Sequence, residues 1–268
     1  MRCEQIKNIK VWPALGPYWA LMATDVAIAE PPAAAIVRAM ISVVIPTLNA
    51  ERTLVPTLSS LVPAVVDGIV QEAIIADGGS TDDTYIVADA AGTTLVQAPR
   101  GRGTQLEAGA AAAKGDWLLF LHADTVLEAG WVDEVASFIE RVETGRRKPA
   151  AAYFKFALDD EGFMPRLIEA MVGLRCALLS LPYGDQGLLI SRAHYRRLGG
   201  FRPLPLMEDV DLVRRLKRKE LYGLKTRAVT SAKRYQDDGY LLRSCRNLGL
   251  MLLYLLRVPP RVLARLYG

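Results

Sequence analysis

The chain contains 268 residues, of which 51% are hydrophobic and 23% are charged; this composition suits one large domain or two small ones and excludes a disordered protein. Its net charge of +4 is uneven, because residues 191–268 contain 18 Lys and Arg against 6 Asp and Glu, whereas residues 1–190 contain 15 against 23. A basic last third favours contact with phosphate, nucleic acid or an anionic membrane surface.

The three cysteines, Cys3, Cys176 and Cys245, are far apart in the sequence, and no CxxC pair is present. This spacing supports neither a disulfide framework nor a zinc site built from paired cysteines. The chain is therefore typical of a reducing compartment, and we expect it to be cytoplasmic.

Residues 1–39 differ from the rest of the chain. An apolar run from Val11 to Ala29 follows two lysines and superficially resembles a signal peptide. Pro13, Pro17 and Asp25 interrupt the run and make it a poor membrane span. We expect residues 1–39 to be a loosely ordered extension, or Met40 to be the true start.

From Ile41 onward, strand and helix patterns alternate. The apolar, β-branched runs predict strands at Ile41–Ile45, Glu72–Ala76, Thr93–Gln97, Trp117–Leu121, Ala150–Phe156 and Gln186–Ile190. Helical spacing predicts helices at Glu51–Val66, Thr81 onward (with Ser80 or Thr81 as cap), Arg102–Lys114, Trp131–Val142, Pro165–Leu181, Met207–Arg218 and Tyr240–Leu255. This order predicts an α/β fold with a Rossmann-like, mostly parallel sheet, helices on both faces and a C-terminal helical segment. We expect a main domain at 40–238 and apolar, basic helices at 239–268.

Acidic residues fall where predicted strands end or helices begin. Asp77 and Asp124 each follow a strand, and Glu208 and Asp209 open a helix. In parallel sheets ligands bind beyond the carboxyl ends of the strands, so these carboxylates are candidate site residues. Asp124 can hold Mg²⁺ or Mn²⁺ against a diphosphate, and Glu208 or Asp209 can supply a general base. The alternative is that Asp124 and Asp209 only cap helices.

Basic residues suited to a diphosphate are Arg100, Arg102 and Arg234, since guanidinium groups form forked hydrogen bonds with phosphate oxygens. The sequence does not contain the glycine-rich motifs of two other classes of nucleotide-binding protein. Gly101-Arg-Gly103 lacks the third glycine of a dinucleotide-binding turn, and residues 109–115 are not a P-loop. No Gly-x-Ser-x-Gly elbow is present, so a hydrolase triad of that type is excluded.

Five segments, taken in order, resemble family-2 glycosyltransferases of the GT-A fold over about residues 41–235. They are Ile41-Ser-Val-Val-Ile-Pro-Thr-Leu-Asn49, Ile74-Ile-Ala-Asp-Gly-Gly-Ser-Thr-Asp82, Leu118-Leu-Phe-Leu-His-Ala-Asp124, Leu198-Gly-Gly-Phe201 and Met207-Glu-Asp209. The resemblance implies an inverting transfer of a sugar from a nucleotide sugar, assisted by Mn²⁺ or Mg²⁺ and without a nucleic acid partner. A UDP-sugar is the favoured donor, and the acceptor is unknown.

The resemblance also assigns expected roles to single residues. Asp77 matches the position that holds the base or ribose, Asp124 the last aspartate of the D-x-D metal motif, and Asp209 the catalytic base, with Glu208 beside it. The expected substrate-binding residues are Pro46, Asn49, Asp77, Gly78, Arg100, Arg102, His122, Gln186, Arg234 and Tyr235.

Two departures bear on these roles. His122 stands where the first aspartate of D-x-D is expected, which leaves Asp124 as the expected metal ligand, although a neutral imidazole can also bind Mn²⁺ or a ribose hydroxyl. Gly78 stands where many members carry a second aspartate, so the preferred nucleobase is open.

A narrower resemblance is to a bacterial subgroup named for association with radical-SAM proteins and for arsenosugar biosynthesis. Its segments read like Asp77-Gly-Gly-Ser80, Arg100-Gly-Arg102, His122-Ala-Asp-Thr125 and Pro205-Leu-Met-Glu-Asp209.

The apolar segment Asn247–Leu256 is too short to span a bilayer, and arginines flank it. It is either a core helix or an interfacial helix on the cytoplasmic face of the inner membrane, near a lipid-linked acceptor.

Two rival functions remain at this point. One is a sugar-phosphate nucleotidyltransferase, although Pro46-Thr-Leu-Asn49 is not the Gly-rich, arginine-containing loop such an enzyme is expected to carry. The other is a non-catalytic member that binds a nucleotide sugar or a membrane, which the departures at His122 and Gly78 keep open.

Overall fold

The computed structural model describes residues 40–148 and 150–267. The expectations for residues 1–39 lie outside this range.

A single sheet of eight strands runs through the described part of the chain, in the order β3-β2-β1-β4-β7-β6-β8-β5. The pairings of β1 with β2 and β4, of β2 with β3, and of β6 with β8 are parallel, and β7 and β5 pair antiparallel with their neighbours. The strands are β1 (Ile41–Thr47), β2 (Val70–Asp77), β3 (Thr94–Gln97), β4 (Trp117–Phe120), β5 (Thr125–Leu127), β6 (Ala151–Leu158), β7 (Leu188–Ser191) and β8 (Leu221–Thr230). The predicted α/β class with a mostly parallel sheet is confirmed.

Helices pack on both faces of this sheet. They are α1 (Glu51–Ser59), α2 (Val62–Val66), α3 (Thr84–Ala90), α4 (Arg102–Ala112), α5 (Trp131–Glu143), α6 (Phe163–Leu179), α7 (Arg192–Arg197), α8 (Glu208–Arg214), α9 (Lys233–Asp238), α10 (Tyr240–Leu255) and α11 (Pro260–Tyr267). No helix in the described ranges is long and apolar enough to cross a membrane.

The central strands alternate between two hydrophobic cores. Val43 and Leu119 point into the core that α1 and α5 cover, whereas Val44 and Leu118 point into the core that α4 and α8 cover. This alternation follows from the two-residue period of a strand. Because both faces are buried, the strands are apolar throughout, which explains why they can be recognised from the sequence.

Several predicted boundaries were wrong. The strand expected to start at Gln186 starts at Leu188, because residues 184–186 form a 3₁₀ turn. The helix expected from Thr81 starts at Thr84, and neither Ser80 nor Thr81 caps it; instead, Asp82 accepts hydrogen bonds from the backbone N–H and the hydroxyl of Thr84.

The strands β5 and β8 were not predicted. β8 is ten residues long, but it carries Lys225 and Arg227 and is only partly buried, so its sequence lacks a continuous apolar run. β5 has only three residues and directly follows Asp124. Together they form an antiparallel edge of the sheet, next to the predicted site.

The register of the sheet brings the site residues together. Thr47 at the end of β1 lies opposite Asp77 at the end of β2, and the N–H of Leu121, just after β4, donates to Val44 O of β1 at 3.0 Å. The loops that follow β1, β2 and β4 therefore all lie at the carboxyl ends of these parallel strands.

Candidate active site

Asp77 organises the loop that follows β2. Its carboxylate accepts hydrogen bonds from the backbone N–H groups of Gly79 and Ser80 (both 2.9 Å), from Ser80 Oγ (2.5 Å) and from Thr47 Oγ1 (3.0 Å). Although burial raises the pKa of Asp77, these hydrogen bonds together lower it below its ordinary value. Asp77 is only 4% exposed and is not among the described residues that line the groove discussed below. The contacts seen for Asp77 thus hold the loop in place, and its expected role in binding base or ribose stays a prediction.

Asn49 joins the loops after β1 and β2. Its N–H donates to Ser80 Oγ at 2.8 Å, and its Oδ1 accepts from the N–H of Thr81 at 2.9 Å. The residue adopts a left-handed backbone conformation with φ of 53°, which asparagine tolerates better than most residues. These contacts fix the rim of a groove.

Gln105, which the sequence reasoning missed, ties α4 to the same strand ends. Its Nε2 donates to Thr47 O (2.7 Å) and Ala76 O (2.9 Å). A Cβ atom on Gly78 would lie 3.0 Å from Gln105 Cδ, so a larger residue at Gly78 would press on this buried amide. The structure thus gives Gly78 a packing role.

An open groove lies along the carboxyl ends of β1 and β2 and reaches the end of β4. Its empty volume, including space open to solvent, is about 1890 Å³. Seven of the predicted site residues line it: Pro46, Asn49, Arg100, Arg102, His122, Asp124 and Arg234.

A second pocket continues from the groove toward α8 and α10. Its lining includes the predicted residues Asp209 and Tyr235, and the unpredicted residues Tyr183, Asp185, Thr230, Arg243 and Asn247. Arg102, His122, Asp124, Ser231 and Arg234 line both spaces. The junction of groove and pocket therefore carries a carboxylate, an imidazole and two guanidinium groups.

The surroundings of His122 favour its neutral form. Burial and the nearby charge of Arg102 lower its pKa to about 4, against the opposing charges of Asp124 and Asp209. A Cβ atom on Gly184 would lie 2.7 Å from His122 Nε2 and 3.3 Å from Asp209 Oδ2, so both groups lie directly against the Gly184 backbone.

Asp209 lies in the first turn of α8, one residue after its start. Its Oδ2 accepts the N–H of Gly184 at 2.7 Å, and its Oδ1 accepts the N–H of Val210 at 2.7 Å. The residue at the N-cap is Met207, in a left-handed conformation with φ of 66°. Asp209 is therefore not the cap of α8, and its carboxylate binds the loop at Gly184.

Glu208 does not line the pocket that Asp209 lines, but the two border a smaller cavity together with His122. Its side chain is 1% exposed, and its Oε1 lies 2.8 Å from Arg102 Nε. Burial raises the pKa of Glu208 to about 7, while Arg102 opposes this shift. Its other oxygen has no hydrogen-bond partner among the described residues. The contact that the structure gives Glu208 orients Arg102 at the junction.

Asp185 is a site residue that the sequence reasoning missed. It lies in the 3₁₀ turn at 184–186, and its backbone carbonyl accepts from Thr230 Oγ1 at 3.2 Å. Its buried Oδ1 has no hydrogen-bond partner within residues 40–148 and 150–267. Burial, reinforced by Asp209 and Asp124, raises the pKa of Asp185 to about 6, against the charge of Arg175. The glycine-flanked run Tyr183-Gly-Asp-Gln-Gly187 was the sequence signal available.

Gln186 supports this turn from behind. Its Nε2 donates to Phe154 O at 3.0 Å, and its Oε1 accepts from Arg175 Nη2 at 3.2 Å and from the N–H of Tyr183 at 3.3 Å. It is buried and is not among the described residues lining the groove or the pocket. Its expected contact with substrate therefore has no counterpart in this geometry.

Tyr235 forms the wall of the pocket toward α10. Its ring stacks on Tyr240 with a centroid separation of 5.7 Å, and the guanidinium of Arg243 lies 5.5 Å from its ring centroid. Burial is the main cause that raises the pKa of Tyr235 to about 12. Its neighbour Arg234 is exposed and reaches the groove.

Across the described ranges, no group of three or more His, Cys, Asp or Glu side chains is arranged to hold a metal ion. Asp124 lies at the junction of groove and pocket, so any cation bound there needs further ligands from a bound molecule.

Residues 42–147 match the family model "Glycosyl transferase family 2". The matched stretch contains Asn49, Asp77 and Asp124, whereas Asp185 and Asp209 lie beyond it. Together with the fold, this match supports the predicted resemblance to family-2 glycosyltransferases.

Similar curated proteins match only part of the chain. Glucosyl-3-phosphoglycerate synthase of Mycobacterium tuberculosis is 40% identical over 95 residues, which cover 32% of this chain and 29% of that protein. An uncharacterized glycosyltransferase of the same organism is 34% identical over 115 residues, covering 41% of this chain and 50% of the relative. The chain thus spans half or less of these relatives.

Solved structures match more of the chain. The structure of M. tuberculosis glucosyl-3-phosphoglycerate synthase in complex with Mn²⁺ and UDP-glucose has a TM-score of 0.57 at 24% identity, covering 82% of this chain and 80% of that chain. A second structure of the synthase has a TM-score of 0.51 at 26% identity, covering 71% of each chain. The fold is that of GT-A glycosyltransferases.

Proposed function

We propose that the chain is a glycosyltransferase that moves a sugar from a nucleotide-diphosphate sugar to an acceptor hydroxyl. The observation that carries this proposal is the junction of groove and pocket, where Asp124, His122, Arg102 and Arg234 face one space and Asp209 lies beside His122. The family match over residues 42–147 supports the same reaction class.

The groove suits the nucleotide. Arg100 and Arg234 line it, and guanidinium groups favour phosphate oxygens. A UDP-sugar is the favoured donor, because the similar synthase was solved with UDP-glucose. Arg102, held by Glu208 at 2.8 Å, would neutralise the diphosphate as it leaves.

The residues at the junction fit a divalent cation. Mn²⁺ and Mg²⁺ typically take one or two protein carboxylates and complete their coordination with phosphate and water oxygens, so Asp124 alone suffices as the principal ligand, and neutral His122 can assist it. When bound, such an ion stabilises the negative charge of the leaving diphosphate.

Asp209 is the proposed general base. It would take the proton from the acceptor hydroxyl while the hydroxyl oxygen bonds to the anomeric carbon and the bond from that carbon to the diphosphate oxygen breaks. A single displacement of this kind inverts the anomeric configuration. The N–H groups of Gly184 and Val210 hold the carboxylate in place at 2.7 Å each.

Two kinds of acceptor are proposed. A lipid-linked acceptor presented at the cytoplasmic face of the inner membrane agrees with the pocket lining on α10, and phosphoglycerate is the small acceptor suggested by the similar synthase. We also propose that the chain belongs to the radical-SAM-associated, arsenosugar-named subgroup that it resembles.

The test is release of UDP from UDP-glucose and Mn²⁺, measured separately with 3-phosphoglycerate and with a polyprenyl phosphate in detergent. Asp209→Asn should lower turnover by about 10²–10⁴-fold, the usual contribution of a positioned base, while the affinity for UDP stays nearly unchanged. The exposed Asp133→Asn on α5 is the matched control and should behave like the unmodified chain.

Loss of UDP binding by a folded Asp209→Asn variant would argue against the assignment of the base. NMR of the product gives the anomeric configuration, and a retained configuration would contradict the single displacement.

A further inference from the structure

Three helices that contact one another in series, α6, α10 and α11, carry many exposed apolar side chains. Of nineteen large hydrophobic residues exposed in the described part of the chain, thirteen lie on α6, on α10, on α11 or in the turn between the last two. They are Phe163, Leu167, Met171, Leu174, Leu178, Leu179, Leu241, Leu242, Leu248, Leu252, Leu256, Val262 and Leu266. We call this set the apolar face.

The residues on α6 form a continuous stripe. Phe163, Leu167, Met171, Leu174 and Leu178 follow one another at intervals of three or four, which places them on one side of a helix. The opposite side of α6 packs on β6 through residues such as Ile168. The helix therefore has two apolar sides, of which only one is covered by the described residues.

α10 continues this surface. It contacts α6 and α11, and Leu250 on its inner side packs against Leu206 and Leu263. Leu242, Leu248 and Leu252 on α10 remain exposed. Exposed apolar surface of this extent in a folded chain commonly marks an interaction site.

The charge along α10 and α11 is positive, whereas Asp159, Asp160 and Glu161 precede α6. Residues 239–267 contain five arginines and no acidic residue, and Arg257, Arg261 and Arg265 are exposed. The single acidic residue of α6, Glu169, already pairs with Arg166 at 2.7 Å. A two-fold contact with a second copy would place these positive charges near one another, which opposes self-association.

We propose that the apolar face docks on an anionic lipid bilayer, with α6, α10 and α11 lying in the membrane interface. Leucine and phenylalanine side chains would enter the boundary between headgroups and acyl chains, and the exposed arginines would contact anionic headgroups. The partner is thus a lipid surface, and the chain binds it without spanning it.

Docking in this orientation would place the membrane beside the pocket. Arg243, Asn247 and Leu250 of α10 line the pocket, while other residues of the same helix form the apolar face. An acceptor that extends from the bilayer could therefore enter next to Asp209. This last step rests on the proposed function, whereas the docking itself does not.

The test is flotation of the full chain with two kinds of vesicle, phosphatidylcholine alone and phosphatidylcholine mixed with phosphatidylglycerol, at low and high salt. We expect strong binding only to the mixed vesicles, weakened by salt because surface charges are screened. Leu174→Glu with Leu178→Glu should lower the bound fraction at least about tenfold, and so should Arg261→Glu with Arg265→Glu.

The matched control is Val66→Glu with Ile86→Glu, which alters side chains that are 79% and 60% exposed on α2 and α3, outside the apolar face. Its binding should equal that of the unmodified chain. Circular dichroism and the UDP-induced thermal shift, measured without vesicles, should be unchanged in all variants, which separates a failure of docking from a failure of the donor site.

Two results would overturn the proposal. The first is a vesicle result that differs from the expectation: the chain does not bind the mixed vesicles, or salt does not weaken its binding, or Leu174→Glu with Leu178→Glu leaves its binding intact. The other is a dimer in sedimentation velocity that Leu174→Glu with Leu178→Glu converts to a monomer without any vesicle binding, because the apolar face would then be covered by a second copy.

Discussion

At the scale of single residues, backbone N–H groups fix the direction of two aspartate carboxylates. Asp77 accepts from the N–H groups of Gly79 and Ser80, and Asp209 accepts from those of Gly184 and Val210. A carboxylate held in this way is fixed in direction, since N–H donors do not rotate as hydroxyl groups do.

Gly184 is the residue at which a single methyl group should disturb the chemistry. In Gly184→Ala the new Cβ would lie 2.7 Å from His122 Nε2, so the imidazole or the Asp209 carboxylate must move. We expect turnover to fall by about a hundredfold, the size of effect that a displacement of about 1 Å can produce.

Gly173→Ala on α6 is the matched control, because a Cβ atom there meets nothing within 4 Å. It should raise the free energy of unfolding by up to about 1 kcal/mol, since alanine is a better helix former than glycine, and leave turnover unchanged. Equal turnover for both alanine variants would contradict the placement of His122 and Asp209 around Gly184.

Asp77→Asn should produce a pH-dependent loss of stability. The folded-state pKa of Asp77 is lower than its ordinary value of 3.8, so its stabilising effect is complete above about pH 4 and is lost as the pH falls through the folded-state value. At pH 7 we expect a loss of about 1–3 kcal/mol, because the N–H groups of Gly79 and Ser80 would donate to a neutral amide oxygen, and hydrogen bonds to a charged carboxylate are stronger.

Thermal melts between pH 7 and pH 3 measure this effect. The difference in Tm between Asp77→Asn and the unmodified chain should be largest at pH 7 and should narrow at the acid end. Asp89→Asn, an exposed substitution on α3, controls for the loss of one negative charge. A difference that stays constant with pH would rule out the proposed linkage.

At the scale of elements, burial decided what could be predicted. β1, β2 and β4 are covered on both faces, so their sequences are continuous apolar runs that can be identified without a structure. β8 is half-exposed and carries charged residues, so its sequence resembles a basic loop. The same reason explains why the antiparallel edge of the sheet was missed.

The site divides in a similar way. Asn49, His122 and Asp124 follow predicted strands directly, and the structure brings them to one groove. Asp185 lies in a turn with no regular pattern, and only the three-dimensional fold brings this turn beside Asp209. Glu208 was grouped with Asp209 because the two are adjacent, but successive helical residues point in different directions.

The contact between α4 and β1 offers a test at this scale. A Cβ atom on Gly109 would lie 2.4 Å from Val44 Cγ1, inside a core where valine cannot easily rotate. Gly109→Ala should lower the free energy of unfolding by about 1–3 kcal/mol through overpacking, measured by urea denaturation.

The matched helical control is Gly249→Ala on α10, where a Cβ atom meets nothing within 4 Å, and it should be neutral or slightly stabilising. A neutral Gly109→Ala would mean that α4 and β1 are not packed as closely as described, and the position of Arg102 at the start of α4 would be in question.

At the scale of the whole molecule, the groove at the carboxyl ends of the strands continues into the pocket. The pocket in turn borders α10, which carries part of the apolar face. Four exposed arginines of the basic last third of the chain lie at two locations. Arg234 faces the groove, whereas Arg257, Arg261 and Arg265 are exposed around α11. These four arginines thus correspond to two proposed ligands, a diphosphate and an anionic surface.

The measurement that tests the central claim most directly is a thermal-shift series with UDP, in Mn²⁺ and again in a chelator, on the unmodified chain and on Asp124→Ala. We predict that UDP stabilises the unmodified chain in Mn²⁺, by about 2.7 kcal/mol at a hundredfold excess over its Kd, and much less in the chelator. Asp124→Ala should lose the difference between Mn²⁺ and chelator. Absence of a shift with UDP, GDP, CDP and dTDP in both conditions, or a UDP shift that neither the chelator nor Asp124→Ala alters, would contradict a metal-assisted nucleotide-sugar site at Asp124.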